Sequence, residues 1–236
     1  MTILHNGDLV SGSDEKDIKI WNSQDGTLKH TLVGHSSWVY SLIVLHNGNL
    51  VSGSGDNTIK IWNQTRLEKT LTRHSTLVCS LCLLSNTDFV SGDSKGNIMI
   101  WTSNGDHKMT IHNAHADWIR SITALQNGGF ATGSDDKTIK VWDRNGVNVK
   151  TLQGHTGWVL AIVELENGYL ASASSDKTVR IWNVSNESTL MHTYSYNNPI
   201  AAIGVLPNGD LIHEGNDREI LIRSVDQVSN GRQDAK

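Results

Sequence analysis

The chain has 236 residues and a mass of 25.9 kDa, which fits one large all-β domain or two smaller mixed domains. Its hydrophobic residues amount to 37% and its glycines number 21, so disorder is excluded as the main state of the chain. Lys and Arg number 20 against 24 Asp and Glu, and the resulting net charge of -4 argues against nucleic acid as a partner.

Taken in chain order, the predicted elements repeat with a period of about 40 residues. Five copies end in an Ile-Trp or Val-Trp dipeptide, at Trp21, Trp62, Trp101, Trp142 and Trp182. A sixth copy aligns EILIR with TIKIW and carries Arg223 in place of the tryptophan. The copies therefore end near residues 22, 63, 102, 143, 183 and 224. We predict a single domain over residues 1–225, followed by a polar tail over residues 226–236.

Each copy is predicted to hold four short strands and no helix. In the second copy the strands cover residues 38–45, 49–54, 58–63 and 67–72. Asn-Gly pairs such as Asn47-Gly48 favour tight hairpins between such strands. Four antiparallel strands in about 40 residues cannot bury both faces of a sheet, so we expect neighbouring sheets to stack radially as in a propeller.

Cys79 and Cys82 have the spacing of a C-x-x-C motif. Side chains alternate along a strand, so residues three apart are expected on opposite faces. The sequence therefore argues against a redox or metal-binding pair at these two cysteines.

The copies resemble the WD-repeat β-propeller family, whose unit runs from a Gly-His pair to a Trp-Asp pair. The matching residues are Gly34-His35 with Trp62-Asn63, Gly154-His155 with Trp182-Asn183, and the literal Trp142-Asp143. The resemblance implies an all-β propeller of about six four-stranded blades, whereas the family commonly has seven. Three interpretations follow: a closed six-bladed ring, an open arc that pairs with another chain, and a fragment of a longer, seven-bladed parent. We favour the nearly closed ring.

The resemblance also implies a buried tetrad in each blade, in which a His, a Ser or Thr, an Asp and the Trp indole are hydrogen-bonded. Three copies hold complete sets: His35, Ser52, Asp56 and Trp62; His115, Thr132, Asp136 and Trp142; His155, Ser172, Asp176 and Trp182. The third copy has His74, Ser91 and Trp101 but places Lys95 at the Asp position, so we expect no complete tetrad there. The first copy has Glu15 with Ser11 and Trp21, and the last has Tyr196, His213, Asp217 and Arg223.

We predict no catalytic, metal or cofactor site. The repeated histidines fall in different blades, which is too far apart for them to ligate one zinc ion. The Ser-His-Asp sets occur three times at buried repeat positions, which favours a structural role over nucleophilic catalysis. No phosphate-binding loop or dinucleotide fingerprint is present in the sequence, and we therefore expect a protein that is not an enzyme.

The predicted binding surface consists of equivalent positions of the repeat at which the residue type differs from copy to copy. Side chains on either side of the buried Val or Ile of an innermost strand point away from the core. In the resembled family these positions, with the residue before the tetrad Asp, form the top face that binds partners. The members chosen here are Asp14, Trp38, Tyr40, Leu77, Trp118, Arg120, Asp135, Trp158 and Leu160. Trp, Tyr and Arg dominate binding hot spots. We therefore expect a non-catalytic scaffold or adaptor that binds a protein or peptide with an apolar anchor and a basic side chain.

Two other functions fit the sequence: a module of a larger multidomain protein or complex, and a binder of a sugar or small metabolite at the channel mouth. An unlatched seam between the first and last copies would favour self-association through exposed strand edges. The first ten residues lack a secretory signal, two cysteines cannot build a disulfide framework, and no apolar run reaches about 20 residues. We expect no contact with a membrane and an intracellular location, in the cytoplasm or alternatively the nucleus.

Overall fold

A computed structural model describes residues 1–63, 65–185, 189–215 and 220–223. The chain divides into two compact units, Met1–Ile122 and Thr123–Lys236. The described residues form strands and turns, and they include no helix long and apolar enough to cross a membrane. The polar tail predicted over residues 226–236 lies outside the described residues.

The first unit contains three four-stranded sheets, in each of which the strands pair in chain order. Sheet 1 consists of β1 (Thr2–Ile3), β2 (Leu9–Gly12), β3 (Ile18–Trp21) and β4 (Leu28–Leu32). Sheet 2 consists of β5 (Val39–Val44), β6 (Leu50–Ser54), β7 (Ile59–Asn63) and β8 (Arg66–Leu71). Sheet 3 consists of β9 (Val78–Leu83), β10 (Phe89–Asp93), β11 (Ile98–Trp101) and β12 (His107–Ile111).

The second unit continues the same pattern from β13, which spans the boundary between the units. Sheet 4 consists of β13 (Ile119–Ala124), β14 (Phe130–Ser134), β15 (Ile139–Trp142) and β16 (Asn148–Leu152). Sheet 5 consists of β17 (Val159–Glu164), β18 (Leu170–Ser174), β19 (Thr178–Asn183) and β20 (Thr189–Ser195). Sheet 6 has three strands among the described residues, β21 (Ile200–Val205), β22 (Leu211–Gly215) and β23 (Ile220–Arg223).

The hairpins of sheet 2 form where the sequence predicts them, and its strands agree with the predicted ranges to within one residue at each end. Gly48 has a φ of 86°, which side chains other than glycine rarely adopt, and the side chain of Asn47 accepts a hydrogen bond from the amide of Asn49. The turn chemistry therefore fixes the register of the strands on both sides.

A β-bulge interrupts the innermost strand of sheet 2. Val39 pairs with Ser54 and Ser41 with Gly53, which leaves Tyr40 as the extra residue. The bulge reverses the alternation of side chains. As a result Val39 and Leu42, three residues apart, are buried in the same hydrophobic cluster.

The innermost strand of sheet 3 has the same bulge, because Gly92 pairs with Ser80 and Asp93 with Val78. The extra residue is Cys79, so the simple alternation used above to separate Cys79 from Cys82 is wrong. Neither cysteine forms a disulfide, and no group of three or more His, Cys, Asp or Glu in the described part of the chain could hold a metal ion.

Within each unit the hydrophobic core lies between neighbouring sheets, and glycines on the second strands make the close packing possible. A Cβ added to Gly12 would lie 2.6 Å from Cγ1 of Val39, and one added to Gly53 would lie 2.8 Å from Cγ1 of Val78. Gly133 stands in the same relation to Val159, at 2.6 Å. Each of these glycines leaves room for the first buried side chain of the next sheet, and we call such a position a glycine socket.

Candidate functional site

The predicted tetrad of sheet 2 is present, and its side chains are largely buried. The Trp62 indole N–H donates to Ser52 Oγ at 2.9 Å, Ser52 Oγ lies 2.7 Å from Nε2 of His35, and Nδ1 of His35 lies 2.8 Å from Asp56 Oδ2. An ionised carboxylate only accepts hydrogen bonds, so His35 donates from Nδ1 and Nε2 accepts from the Ser52 hydroxyl. Each group therefore donates a hydrogen bond to the next, from the Trp62 indole to the Asp56 carboxylate.

The environment of the tetrad favours a neutral imidazole and an ionised carboxylate. Burial lowers the pKa of His35, although the neighbouring Asp56 acts to raise it. Burial alone would raise the pKa of Asp56, but hydrogen bonds from Thr58, the Ser36 amide and His35 lower it to about 2. Because His35 stays neutral, the pair is a hydrogen bond from an uncharged donor rather than an ion pair.

Sheet 5 repeats this geometry. His155 lies 2.8 Å from Asp176 Oδ2 and 2.7 Å from Ser172 Oγ, and the Trp182 indole donates to Ser172 Oγ at 2.8 Å. Hydrogen bonds from Thr178, His155 and the Thr156 amide outweigh the effect of burial and lower the pKa of Asp176 to about 2. The sequence prediction for this copy is therefore matched bond by bond.

In sheet 4 the indole of Trp142 donates to Thr132 Oγ1 at 2.9 Å, and His115 is buried. Asp136 Oδ1 accepts from the hydroxyl of Thr138 at 2.7 Å, as Asp56 does from Thr58 in sheet 2. These two hydrogen bonds and the buried histidine match the corresponding features of sheets 2 and 5.

Sheet 3 also has a tetrad, contrary to the prediction that Lys95 leaves it incomplete. Nδ1 of His74 lies 3.0 Å from Oδ2 of Asp93, and Ser91 Oγ accepts from the Trp101 indole at 2.8 Å. Asp93 ends β10, two positions before Lys95, and its buried carboxylate reaches the place that Asp56 occupies in sheet 2. Lys95 is exposed, so alignment by sequence position missed the functional carboxylate.

The first and last sheets differ from this pattern. The Trp21 indole donates to Ser11 Oγ at 2.8 Å, but Glu15 is exposed and pairs with Lys19 at 3.0 Å. In sheet 6 the rings of Tyr196 and His213 are in contact, with centroids 4.5 Å apart. Asp217, predicted at the fourth position, lies outside the described residues.

The Ser-His-Asp geometry resembles that of a hydrolase triad, yet it is not arranged for attack on a substrate. Ser52 and Ser172 are 0% exposed, and each oxygen already accepts a hydrogen bond from an indole. A nucleophile must approach an external carbonyl to within about 3 Å. The tetrads therefore have the geometry of buried structural networks, which rigidify the sheets.

The predicted surface residues of sheet 2 are exposed beside one another. Trp38 is 49% exposed and Tyr40 is 38% exposed, and their rings meet edge to face with centroids 6.1 Å apart. Gly55 lies under this pair, because a Cβ added to it would be 2.8 Å from Ser37 Oγ and 3.3 Å from Cε2 of Tyr40. The bulge at Tyr40 turns this ring out of the core and toward Trp38.

Sheet 3 and the start of β13 bring further predicted residues toward Tyr40. Burial raises the pKa of the Tyr40 hydroxyl, nearby Cys79 and the exposed Asp14 raise it further, and Arg120 opposes them. The guanidinium of Arg120 lies over the ring of Trp118, 4.3 Å from its centroid. We call Asp14, Trp38, Tyr40, Trp118 and Arg120 the Trp38 surface. Cys79 adjoins this surface, and it is the extra residue of the β-bulge in sheet 3, as Tyr40 is in sheet 2.

The other predicted site residues have different environments. Leu77 is partly buried, and its carbonyl accepts from the amide of Ser94 at 3.0 Å. In the second unit Trp158 is 50% exposed and its amide donates to Ser175 Oγ at 2.8 Å, while Leu160 is partly buried. Asp135 is buried rather than exposed.

Comparison with known proteins agrees with the repeat pattern. The chain matches the family model described as WD domain, G-beta repeat, over residues 26–63, 65–102, 106–143 and 146–183. Among solved structures it is similar to the WD40 β-propeller domain of Doa1, with a TM-score of 0.83 and 28% identity over 92% of this chain and 75% of that chain. No curated protein shows a significant match. The predicted fold class, an all-β propeller with six blades, is confirmed by this similarity.

Proposed function

Because this chain belongs to the WD40 repeat family of β-propellers, we propose that it is a non-catalytic scaffold that binds a protein or peptide partner through the Trp38 surface. Members of this family commonly serve as protein-interaction platforms and are generally not enzymes. The finer assignment, to this surface and this kind of partner, is our own.

The observation that carries the proposal is the pair of half-exposed rings of Trp38 and Tyr40, close to Arg120 stacked on Trp118. Large aromatic groups exposed to this extent lose apolar contact with water when a partner covers them. Hot spots are enriched in Trp, Tyr and Arg, and the Trp38 surface contains all three types.

The charges of this surface indicate the chemistry of the partner. Asp14 is exposed and lies close enough to Tyr40 to influence its pKa, whereas Arg120 is engaged with Trp118. A partner that packs an apolar side chain against these rings and places a basic side chain near Asp14 fits this arrangement. Trp158 offers a comparably exposed indole in the second unit.

The proposal is tested by affinity capture from an extract of the cells that make this protein. The native chain is compared with a variant carrying Trp38→Ala, Trp118→Ala and Trp158→Ala, with captured proteins quantified by mass spectrometry. We expect partners of the native chain to be lost, by at least tenfold, with the variant, while its thermal unfolding stays cooperative.

A matched control carries Leu28→Ala, Val147→Ala and Leu190→Ala. These side chains are 45–57% exposed, similar to Trp38 and Trp158. They lie beside the turn between the third and fourth strands of their sheets, whereas Trp38 and Trp158 each precede the innermost strand of theirs. This control should capture the same partners as the native chain. Equal capture by the tryptophan variant would contradict the proposal.

A further inference from the structure

Two copies of the repeat place a tryptophan at the same position but surround it with different residues. Trp38 directly precedes β5, and Trp118 directly precedes β13. The second residue of β5 is Tyr40, whereas that of β13 is Arg120. The guanidinium of Arg120 lies over the ring of Trp118, 4.3 Å from its centroid, and Trp118 is partly buried. The chain itself therefore shows that an indole at this position can accept a stacked guanidinium.

The indole of Trp38 is less covered than that of Trp118. It is 49% exposed and meets the ring of Tyr40 edge to face, with an angle of 60° between the two planes. Within the part of the chain that the structure describes, the Tyr40 hydroxyl makes no hydrogen bond. A flat group from a partner can therefore lie on Trp38 as Arg120 lies on Trp118, with Tyr40 beside it.

A carboxylate lies close to this pair of rings. Asp14 is exposed in the turn between β2 and β3, and its charge acts on the Tyr40 hydroxyl. The neighbouring Glu15 is paired with Lys19 at 3.0 Å, whereas the side chain of Asp14 makes no ion pair or hydrogen bond with the described residues. The charge of Asp14 is therefore available to a cationic group of a partner.

The combination of an exposed indole and a carboxylate favours arginine over other cationic side chains. A guanidinium is planar and more weakly hydrated than an ammonium, so it can lie flat on an indole while its N–H groups donate to a carboxylate. The ammonium of lysine is strongly hydrated and has no flat face. A trimethylated lysine can lie on a ring, but it has no N–H group to donate to Asp14.

Arg120 acts against a cation at this place. It influences the Tyr40 hydroxyl in the sense opposite to that of Asp14, so its positive charge also reaches these rings. Asp14 belongs to the sheet before Trp38, however, whereas Arg120 belongs to the second sheet after it. A cation on the sheet 1 side of Trp38 is therefore attracted by the carboxylate and lies farther from the guanidinium.

We propose that the basic side chain of the partner is an arginine, whose guanidinium lies on the ring of Trp38 and donates to the carboxylate of Asp14. The partner's arginine thereby does for Trp38 what Arg120 does for Trp118 within the chain. This inference rests on the proposed function, because it identifies the side chain that a partner brings to the Trp38 surface.

Sheet 5 offers a comparison within the same chain. Trp158 is 50% exposed and directly precedes β17, as Trp38 precedes β5. The second residue of β17 is Leu160 rather than a tyrosine, and the residue that corresponds to Asp14 is Asp135 of sheet 4, which is buried. Trp158 therefore has a similarly exposed indole without the exposed carboxylate at this position.

The probe is the capped dipeptide acetyl-Leu-Arg-amide, whose charge is that of the guanidinium alone. It is titrated into the isotope-labelled full chain, and the indole N–H signals are followed by NMR after assignment with Trp38→Phe and Trp158→Phe. We expect a saturable shift of the Trp38 signal in the millimolar range and a shift at least fivefold smaller for Trp158. A Trp38 signal that does not shift overturns the proposal.

Three analogues of the probe separate stacking, charge and hydrogen bonding. Citrulline in place of arginine keeps the flat shape without the charge, lysine keeps the charge without the flat face, and trimethyllysine keeps the charge without the N–H groups. Each analogue should bind at Trp38 at least fivefold more weakly than the arginine probe. Equal or tighter binding of any of the three overturns the assignment to arginine.

Variants of the full chain test the part played by the charges. Asp14→Asn should weaken binding of the probe at least fivefold, whereas Glu15→Gln, which alters the adjacent carboxylate, should leave the dissociation constant within twofold. Arg120→Gln removes the opposing charge and should strengthen binding. Equal affinities of the Asp14 and Glu15 variants, or weaker binding after Arg120→Gln, would contradict the proposal.

Competition during affinity capture separates this proposal from the scaffold function. Partners that depend on the tryptophans should be displaced by the arginine probe at millimolar concentration, and not by its lysine analogue. If such partners are captured and the arginine probe does not displace them, the assignment to arginine fails and the scaffold function stands. If no captured partner depends on the tryptophans, the scaffold function fails, whatever the NMR titration shows.

Discussion

Sheets 2 and 3 build the same tetrad from carboxylates at different positions in the chain. Asp56 is four positions after Ser52, in the hairpin between β6 and β7, whereas Asp93 is two positions after Ser91, at the end of β10. Both place Oδ2 at 2.8–3.0 Å from Nδ1 of a buried histidine. In both sheets the carboxylate therefore lies at the same place relative to the histidine, although a different position of the hairpin supplies it.

The largest expected effect comes from removing the displaced carboxylate. Asp93→Ala leaves Nδ1–H of the buried His74 without its acceptor and should lower the free energy of unfolding by about 3 kcal/mol. Lys95→Ala, at the aligned but exposed position, should change it by less than about 0.5 kcal/mol. Urea denaturation of both variants makes the measurement, and similar losses would show that the tetrad of sheet 3 does not depend on Asp93.

A smaller effect is expected from the hydroxyl that supports Asp56. Thr58 Oγ1 donates to Asp56 Oδ1 at 2.7 Å, so Thr58→Val should raise the pKa of Asp56 from about 2 and lower the free energy of unfolding by about 1 kcal/mol. NMR titration of the carboxyl carbon and urea denaturation report the two quantities. Thr72→Val, at an exposed threonine, is the control, and an unchanged pKa in the Thr58 variant would refute the role of this hydroxyl.

The smallest effect is the loss of stability between pH 7 and pH 6. Burial lowers the pKa of His35, His155 and His107, so the unfolded chain binds more protons than the folded chain as the pH falls through the usual histidine range near 6.5. Stability is therefore greatest above that range and declines below it, by less than about 1 kcal/mol for each histidine.

The tetrad carboxylates do not contribute to this decline. Asp56 and Asp176 have pKa values of about 2, and their stabilising effect is lost only as the pH falls below about 4. Thermal unfolding at pH 7, 6.5 and 6 in one ionic strength gives the slope. A rise in melting temperature toward pH 6 would mean that the imidazoles are protonated in the folded chain.

Much of the fold could be predicted from the sequence because the residue pattern of each strand and turn recurs in several copies of the repeat. The strands of sheet 2 and the tetrads of sheets 2 and 5 follow directly from residue types at a fixed spacing. The role of Asp93 did not follow, since the reach of a carboxylate across a hairpin depends on backbone geometry rather than on its place in an alignment.

The surface was harder to predict than the framework. The alternation of side chains along the strand correctly predicts that Trp38 is exposed, but it predicts neither the bulge at Tyr40 nor the burial of Asp135. A cavity lined by Ile20, His30 and Leu50 is formed by residues of two sheets at once, so no single copy of the repeat predicts it.

The glycine sockets make neighbouring sheets energetically interdependent. Val39 and Val78 each complete the packing of the sheet before their own, against Gly12 and Gly53, so folding of one repeat lowers the cost of ordering the next. Nearest-neighbour coupling of this kind is what makes repeat arrays unfold cooperatively. A chain shortened by one repeat would present a bare glycine strand at its new end, where no side chain stands ready to replace the lost neighbour.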